Sequence, residues 1–163
     1  MPKNLKTIED AAFDKLKMEK LIFPDGLQTI GGFAFSVCNM KTLIIPDSVT
    51  SIGEKAFESC TNLIEVKLPN NLTTLEPDIF ADCNKLKSIT IPASVEEIKE
   101  SAFYSCDSLD NITFLSVNPP IIGNYVFYGT ALKTINVPKG SETLYEALKG
   151  QYGIPQDVTI IEK

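Results

Sequence analysis

The chain contains no histidine among its 163 residues. This absence excludes a Ser-His-Asp triad and every other proton relay that depends on an imidazole near neutral pH. No other catalytic motif stands in its place. Glu96 and Glu97 are adjacent, so in an extended segment they point to opposite sides. Gly31-Gly32 lacks the lysine and the helix start of a phosphate-binding loop. The sequence therefore predicts a protein that is not an enzyme and that uses no cofactor.

Clusters of basic residues and long apolar runs are missing as well. The chain has 15 lysine and arginine residues against 21 acidic ones, which gives a net charge of −6 and a pI of about 4.7. Such a balance disfavours binding to nucleic-acid phosphates or to anionic lipids. No apolar run approaches the roughly 18 residues of a membrane-spanning helix, and the segment 1–5 has no secretory apolar core. We expect neither a nucleic-acid partner nor direct membrane insertion.

What the chain does have is a period of 22 to 24 residues. Cysteine recurs at positions 38, 60, 83 and 106, proline at 24, 46, 69 and 92, and phenylalanine at 13, 35, 57, 80, 103 and 127. A fixed period in this range is typical of a solenoid, in which one short unit is stacked on itself. With 44% hydrophobic residues, the array is large enough to bury a continuous core.

The best-preserved unit, residues 86–106, reads as a coil with three sides. Ile89 and Ile91 alternate with Thr90, which predicts a short strand with one buried face. Pro92 ends this strand because proline has no N–H for the ladder. The segment 93–98 returns apolar residues to the core along a second side, where we expect another short strand. The segment 101–106 forms the third side, which we expect to be a helical or 3-10 turn.

The unit resembles a known class of repeat. The strand pattern L-x-x-L-x-L recurs with conservative variation at 18–23, 40–45, 63–68, 86–91, 109–114 and 132–137. It is followed by I-P-x-x-V-x-x-I-x-x-x-A-F-x-x-C, which resembles the BspA-like leucine-rich repeats of bacteria and some protozoan parasites. The resemblance covers nearly the whole chain. It implies an α/β solenoid, coiled in the right-handed sense, with a parallel strand ladder, short helical or 3-10 turns on the other side and a C-terminal cap.

The four cysteines are expected to be free thiols in the core. Residues one period apart lie on neighbouring coils and point into the core in parallel, which disfavours the dihedral angle of a disulfide. Four cysteines in a line do not converge on a zinc ion either. Cysteine here acts as a small apolar residue with a weak donor. Leu16 occupies the same position in the first unit, which indicates that packing sets this position. No metal site is predicted.

The two ends of the chain depart from the repeat. Residues 2–17 begin at the proline position of a unit with no strand before them, which leaves an apolar edge and predicts end-to-end self-association. At the other end Ser141 is a candidate N-cap and Gly150 a candidate C′ residue of a short helix, and 158–161 is a candidate closing strand. We therefore divide the chain into about six repeats, 1–138, and a C-terminal cap, 139–163.

The outward positions of the main strands form the primary candidate binding face. In the C-terminal half these positions carry only hydroxyl and amide side chains: Ser88, Thr90, Asn111, Thr113, Thr134 and Asn136. Such a surface suits a protein or a glycan held by many weak hydrogen bonds. The alternative interpretation is that threonine simply favours exposed strands.

Two smaller groups are secondary candidates. Ile22 and Ile44 are outward and apolar on neighbouring strands, although a pair of exposed apolar residues is ordinary on a protein surface. Tyr104 and Tyr128 hold equivalent positions after the phenylalanine of neighbouring coils, and Tyr125 is near in sequence. Aromatic side chains are enriched at interfaces, but stacked tyrosines at the edge of a solenoid also stabilise packing.

The resemblance implies a non-enzymatic interaction or adhesion module, located outside the cell or on its surface, whose partner is a host or matrix protein or a glycan. Two alternatives stay open. One is a structural spacer within a longer surface protein. The other is an intracellular scaffold in the cytoplasm, which the unpaired cysteines favour because free thiols are less common outside the cell.

Overall fold

The computed structural model describes residues 1–163 as one stack of about seven coils. Strands of three or four residues line the first side: β3 (Thr42–Ile44), β5 (Glu65–Lys67), β7 (Ser88–Ile91), β9 (Asn111–Phe114), β11 (Thr134–Val137) and β12 (Thr159–Glu162). Two-residue strands line the second side: β1 (Thr7–Ile8), β2 (Thr29–Ile30), β4 (Ser51–Ile52), β6 (Thr74–Leu75), β8 (Glu97–Ile98) and β10 (Ile121–Ile122). The predicted solenoid with a parallel strand ladder is confirmed.

Every strand pair in the molecule is parallel and joins successive coils. On the first side β3 pairs with β5, and β7, β9, β11 and β12 form a four-stranded sheet. On the second side β1, β2 and β4 form one sheet, and β6, β8 and β10 form another. Buried and exposed residues alternate along β7, so its isoleucines enter the core while Ser88 and Thr90 face outward.

The first copy of the strand pattern, residues 18–23, forms no strand. None of its backbone groups is hydrogen-bonded to β3, although Phe23 still packs in the core and Leu21 packs against it. Segment 18–23 lies at the outer edge of the first side. An edge segment has a neighbour on one side only, so it has fewer backbone partners to hold it in the strand conformation.

The third side consists of isolated turns and not of a helix. Phe35 donates its N–H to the carbonyl of Ala56 in the next coil at 2.8 Å, while Ser36 donates to Phe33 within its own turn at 3.1 Å. The backbone φ angles of Phe33 and Val37 are +55° and +57°, and the same alternation recurs in the other coils. Residues in this left-handed region interrupt helical propagation. Their placement directs alternate N–H groups to the neighbouring coil.

The core runs through the stack as one continuous cluster of 44 buried residues. Its centre is a column of parallel phenylalanine rings. The centroid distances along the column are 5.2 Å for Phe13–Phe35, 5.6 Å for Phe35–Phe57, 5.5 Å for Phe57–Phe80, 5.7 Å for Phe80–Phe103 and 5.8 Å for Phe103–Phe127. The period of the sequence is therefore the period of this ring stack.

The C-terminal segment contains the one helix of the chain, α1 (Glu142–Glu146). Ser141 is its N-cap residue, but the serine hydroxyl donates to the carbonyl of Pro138 and does not cap the helix. The carboxylate of Glu162 instead accepts hydrogen bonds from the N–H groups of Gly140 and Glu142. The C-cap is Ala147, so the prediction that Gly150 is the C′ residue is wrong. The division into repeats, 1–138, and a cap, 139–163, stays a prediction.

Candidate binding surfaces

The outward side chains of β7, β9 and β11 form a surface without charged groups at its centre. Ser88 and Thr90 are exposed, whereas Asn111, Thr113 and Thr134 are half-buried. The parallel register places Ser88 opposite Asn111 and Thr90 opposite Thr113, so the hydroxyl and amide groups lie in two columns as predicted. We call these five residues the strand face. They can donate and accept hydrogen bonds, and they carry no net charge.

Asn136 does not belong to this exposed surface, although the sequence placed it there. Its side chain is only 2% exposed, and its amide nitrogen donates to the side-chain oxygens of Asn111 at 2.9 Å and of Thr113 at 3.2 Å. Its partner in β12 is Ile161, which lies beside it in the sheet. Asn136 therefore links β11 to two positions of β9, Asn111 and Thr113, through side-chain hydrogen bonds. Both of its donors are used within the chain.

Ile22 and Ile44 lie on the N-terminal part of the same side and are exposed, at 67% and 57%. Together with Asp25 and Asp47 they line an open groove with a volume of about 530 Å³. Lys67 also lines this groove. The N-terminal half of the first side thus combines apolar and charged groups, in contrast to the strand face.

A hydrogen-bonded corner that the sequence did not reveal borders this groove. The carboxylate of Asp47 accepts the backbone N–H of Asn70 at 2.9 Å and its side-chain amide at 3.1 Å. The backbone hydrogen bond from Asn70 lowers the pKa of Asp47. Asn71 donates to the carbonyl of Asp47. Aspartate and asparagine at a turn look like ordinary turn residues, so only the stacking of coils shows that they pair.

The three candidate tyrosines come together on the third side. The repeat spacing predicted this for Tyr104 and Tyr128, whereas the sequence showed only that Tyr125 is near them along the chain. Tyr104 and Tyr128 stack with centroids 6.5 Å apart and planes at 7°, and Tyr125 stands edge-on to Tyr128 at 6.0 Å. All three are exposed. A groove of about 400 Å³ opens beside Tyr125 and Tyr128, with Tyr152 on its wall.

The four cysteines are buried and form no disulfides. Each thiol donates a hydrogen bond to a backbone carbonyl of the preceding coil. The sulfur of Cys60 donates to the carbonyl of Phe35 at 3.3 Å, and the other three bond in the same way, Cys38 to Phe13, Cys83 to Phe57 and Cys106 to Phe80. Burial raises the pKa of Cys60 and of Cys106 to about 12 and that of Cys83 well above its usual range. These thiols are therefore poor nucleophiles near neutral pH.

Leu16 does not fill an equivalent buried position, contrary to the expectation from the repeat. Leu16 is 47% exposed, because no coil packs against the outer side of the coil that contains it.

Two further features bear on the class of function. No group of three or more histidine, cysteine, aspartate or glutamate side chains lies in an arrangement that suits a metal ion. The only helix has five residues, so the structure has no helix with the length and hydropathy required to cross a bilayer.

The coil geometry, the parallel ladder and the repeated strand pattern define a leucine-rich repeat solenoid. The family model for the BspA type leucine-rich repeat region matches residues 1–110 and 35–148, with six copies of the repeat. The chain belongs to this family, as the sequence pattern predicted. No curated protein matches the chain.

Solved structures with the same fold are bacterial leucine-rich repeat proteins. One from Bacteroides ovatus is 25% identical with a TM-score of 0.62, and the match covers 99% of this chain and 53% of that one. The T. pallidum leucine-rich repeat protein TpLRR is 20% identical with a TM-score of 0.64, over 99% and 67%. The pneumococcal vaccine antigen PcpA is 19% identical with a TM-score of 0.50, over 98% and 60%. The chain thus spans about half the length of the Bacteroides protein.

Proposed function

We propose that this protein is a non-enzymatic adhesion or interaction module that binds a host or matrix protein through its strand face. The observation that carries the proposal is the uncharged band of hydroxyl and amide groups on β7, β9 and β11. A surface of this kind forms many weak hydrogen bonds with a partner without the desolvation cost of buried charges. Membership of the BspA type family supports a location outside the cell or on its surface.

The strand face is suited to recognition because its backbone is fixed by the ladder. Parallel pairing holds Thr90, Thr113 and the positions beside them in register, so the hydroxyl groups are preorganised. Preorganised groups lose little conformational entropy when they bind. Asn136 reinforces this arrangement from within, since it links β11 to β9 through side-chain hydrogen bonds.

The substitution Thr90→Arg tests the proposal. Thr90 is exposed and makes no side-chain hydrogen bond in the chain, so arginine at this position adds bulk and charge without disturbing the fold. We expect the variant to weaken binding at least about tenfold, since a buried, unpaired charge at the centre of an interface costs more than 1.4 kcal/mol. The measurement is surface plasmon resonance against a panel of purified matrix and host-surface proteins.

Thr50→Arg is the matched control. Thr50 is exposed on the second side, beside β4, and the substitution makes the same change of size and charge. Binding that survives Thr50→Arg and is lost with Thr90→Arg supports the strand face. Equal binding by both variants and the unmodified protein shows that the strand face is the wrong surface.

An intracellular scaffold is the second candidate, and the four unpaired cysteines favour it. Localisation of the full-length protein in its own cell by fractionation separates the two candidates. Recovery in the cytoplasmic fraction contradicts the adhesion role. A role as a structural spacer predicts instead a surface location without any partner on the panel.

We also propose that two copies associate end to end through the N-terminal edge. An open apolar groove of about 500 Å³ lies there, lined by Met1, Leu5 and Phe13, and exposed apolar area of this kind favours association. Sedimentation velocity is expected to show a mass that rises with protein concentration and returns to that of the monomer in Leu5→Glu. A strict monomer over the whole concentration range counts against the association.

A further inference from the structure

The tyrosine stack on the third side ends one coil before the solenoid does. Tyr104 and Tyr128 are parallel, and one face of the Tyr128 ring is covered by Tyr104. The hydrogen bonds between coils identify the residue that comes next in this column. Phe103 donates to Val126, and Phe127 donates in the same way to Tyr152, so Tyr152 is equivalent to Val126. Ile154 is then equivalent to Tyr128.

Ile154 leaves its place in the column empty because its side chain is buried in the core. Gly153 takes the place of the phenylalanine, and its φ of +90° lets the chain come close to the backbone of Phe127 and Tyr128. No side chain at the equivalent position in the seventh coil covers the second face of Tyr128. For comparison, one interval of the stack is 6.5 Å, the distance between the Tyr104 and Tyr128 centroids.

The groove at this place has the chemistry of a site for an uncharged ring. Tyr125 and Tyr128 line it, and their rings stand at 84° to each other. Asn124 and Gln151 add amide groups to the lining. The side chain of Asn124 makes no hydrogen bond within the chain, and Gln151 uses only its amide nitrogen, which donates to Ala147, so its side-chain oxygen is free to accept. No charged side chain lines the groove.

We propose that this groove binds one neutral pyranose ring of a glycan, stacked on the open face of Tyr128. The apolar C–H face of a pyranose matches an aromatic ring face, while its hydroxyl groups can bond to the amides of Asn124 and Gln151. The lack of lysine and of carboxylates in the lining favours a neutral sugar over a sialylated one. The site lies on the third side, separate from the strand face, so either site can fail its test while the other stands.

The test is a titration of the whole chain with neutral oligosaccharides of glucose, galactose, mannose and N-acetylglucosamine, followed by NMR of the tyrosine ring signals. We expect saturable shifts at Tyr125 and Tyr128 with at least one neutral oligosaccharide, and none with its sialylated counterpart. Tyr128→Ala is expected to weaken binding at least about tenfold, the typical effect of truncating a central aromatic contact. Tyr128→Trp keeps an aromatic ring at this position and is expected to retain binding.

Phe33→Ala is the matched control, because it removes another exposed aromatic ring far from the groove and is expected to leave sugar affinity unchanged. Denaturant unfolding of Tyr128→Ala verifies that the variant is folded. The proposal is overturned if no neutral oligosaccharide binds, or if Tyr128→Ala and Tyr128→Trp both bind as the unmodified protein does. A groove that binds a proline-rich peptide and none of these sugars also overturns the proposal.

Discussion

Phe80→Ala is expected to lower the free energy of unfolding by about 3–5 kcal/mol. The Phe80 ring is fully buried in the middle of the phenylalanine column, with the rings of Phe57 and Phe103 at 5.5 and 5.7 Å on either side. Its removal leaves a cavity that both neighbours line. Because the total stability of a domain is about 5–15 kcal/mol, this is a large share of it. Urea unfolding followed by circular dichroism measures the change.

Phe33→Ala makes the same chemical change outside the column. The Phe33 ring is partly exposed and contacts the ammonium group of Lys55 at 5.6 Å, so its removal should cost only about 1 kcal/mol. A loss for Phe80→Ala no larger than that for Phe33→Ala means that the ring column does not hold the coils together.

Gly153→Ala is expected to destabilise the protein by about 2–5 kcal/mol. An added Cβ would lie 2.5 Å from the backbone carbonyl carbon of Phe127 and closer still to the backbone nitrogen of Tyr128. Backbone atoms cannot move aside as a flexible side chain can, so the seventh coil must shift, which costs about 1–3 kcal/mol. The φ of +90° adds the usual cost of a left-handed conformation for an L-residue, about 1–2 kcal/mol. Thermal unfolding measures the sum.

Gly140→Ala separates the two contributions. Gly140 has a similar φ of +83°, but a Cβ at this position would meet nothing within 4 Å. It should therefore cost only the conformational part, about 1–2 kcal/mol. If Gly140→Ala destabilises the protein as much as Gly153→Ala, the close approach of the seventh coil to Phe127 has no energetic importance.

The core was predictable from the sequence because a solenoid repeats its buried positions. Phenylalanine, cysteine and the strand isoleucines each have one environment, copied from coil to coil, so spacing alone identifies them as one set. The same logic predicted that Tyr104 and Tyr128 stack. The period of the sequence predicts contacts only between residues that occupy the same position in neighbouring coils.

The burial of Asn136 could not be predicted in this way. Its position alternates outward, but its amide reaches diagonally to Asn111 and directly to Thr113 in the preceding strand. A two-residue alternation cannot predict how far a polar side chain reaches. The prediction that Leu16 is buried was wrong for a different reason. Leu16 lies in a coil that has a neighbouring coil on one side only, so its side chain is exposed.

The end of α1 and the conformation of the third side could not be predicted, because residue type alone does not determine the backbone conformation at these positions. Gly150 looked like a C′ residue, but α1 already ends at Glu146 with Ala147 as its C-cap. On the third side the left-handed positions are occupied by residues as different as Phe33, Lys55 and Asp78, so no glycine signal marks them. The hydrogen bonds to the neighbouring coil impose these conformations.

The reactivity of the cysteine thiols tests the central claim most directly, namely that the repeated residues build the core and the function lies on the surface that they display. The burial of Cys38, Cys60, Cys83 and Cys106 and the raised pKa of each predict no fast reaction with a thiol reagent in the native protein at pH 8. In denaturant without reductant, all four should react. A thiol that reacts rapidly in the native state, or fewer than four free thiols after denaturation, would contradict the claim.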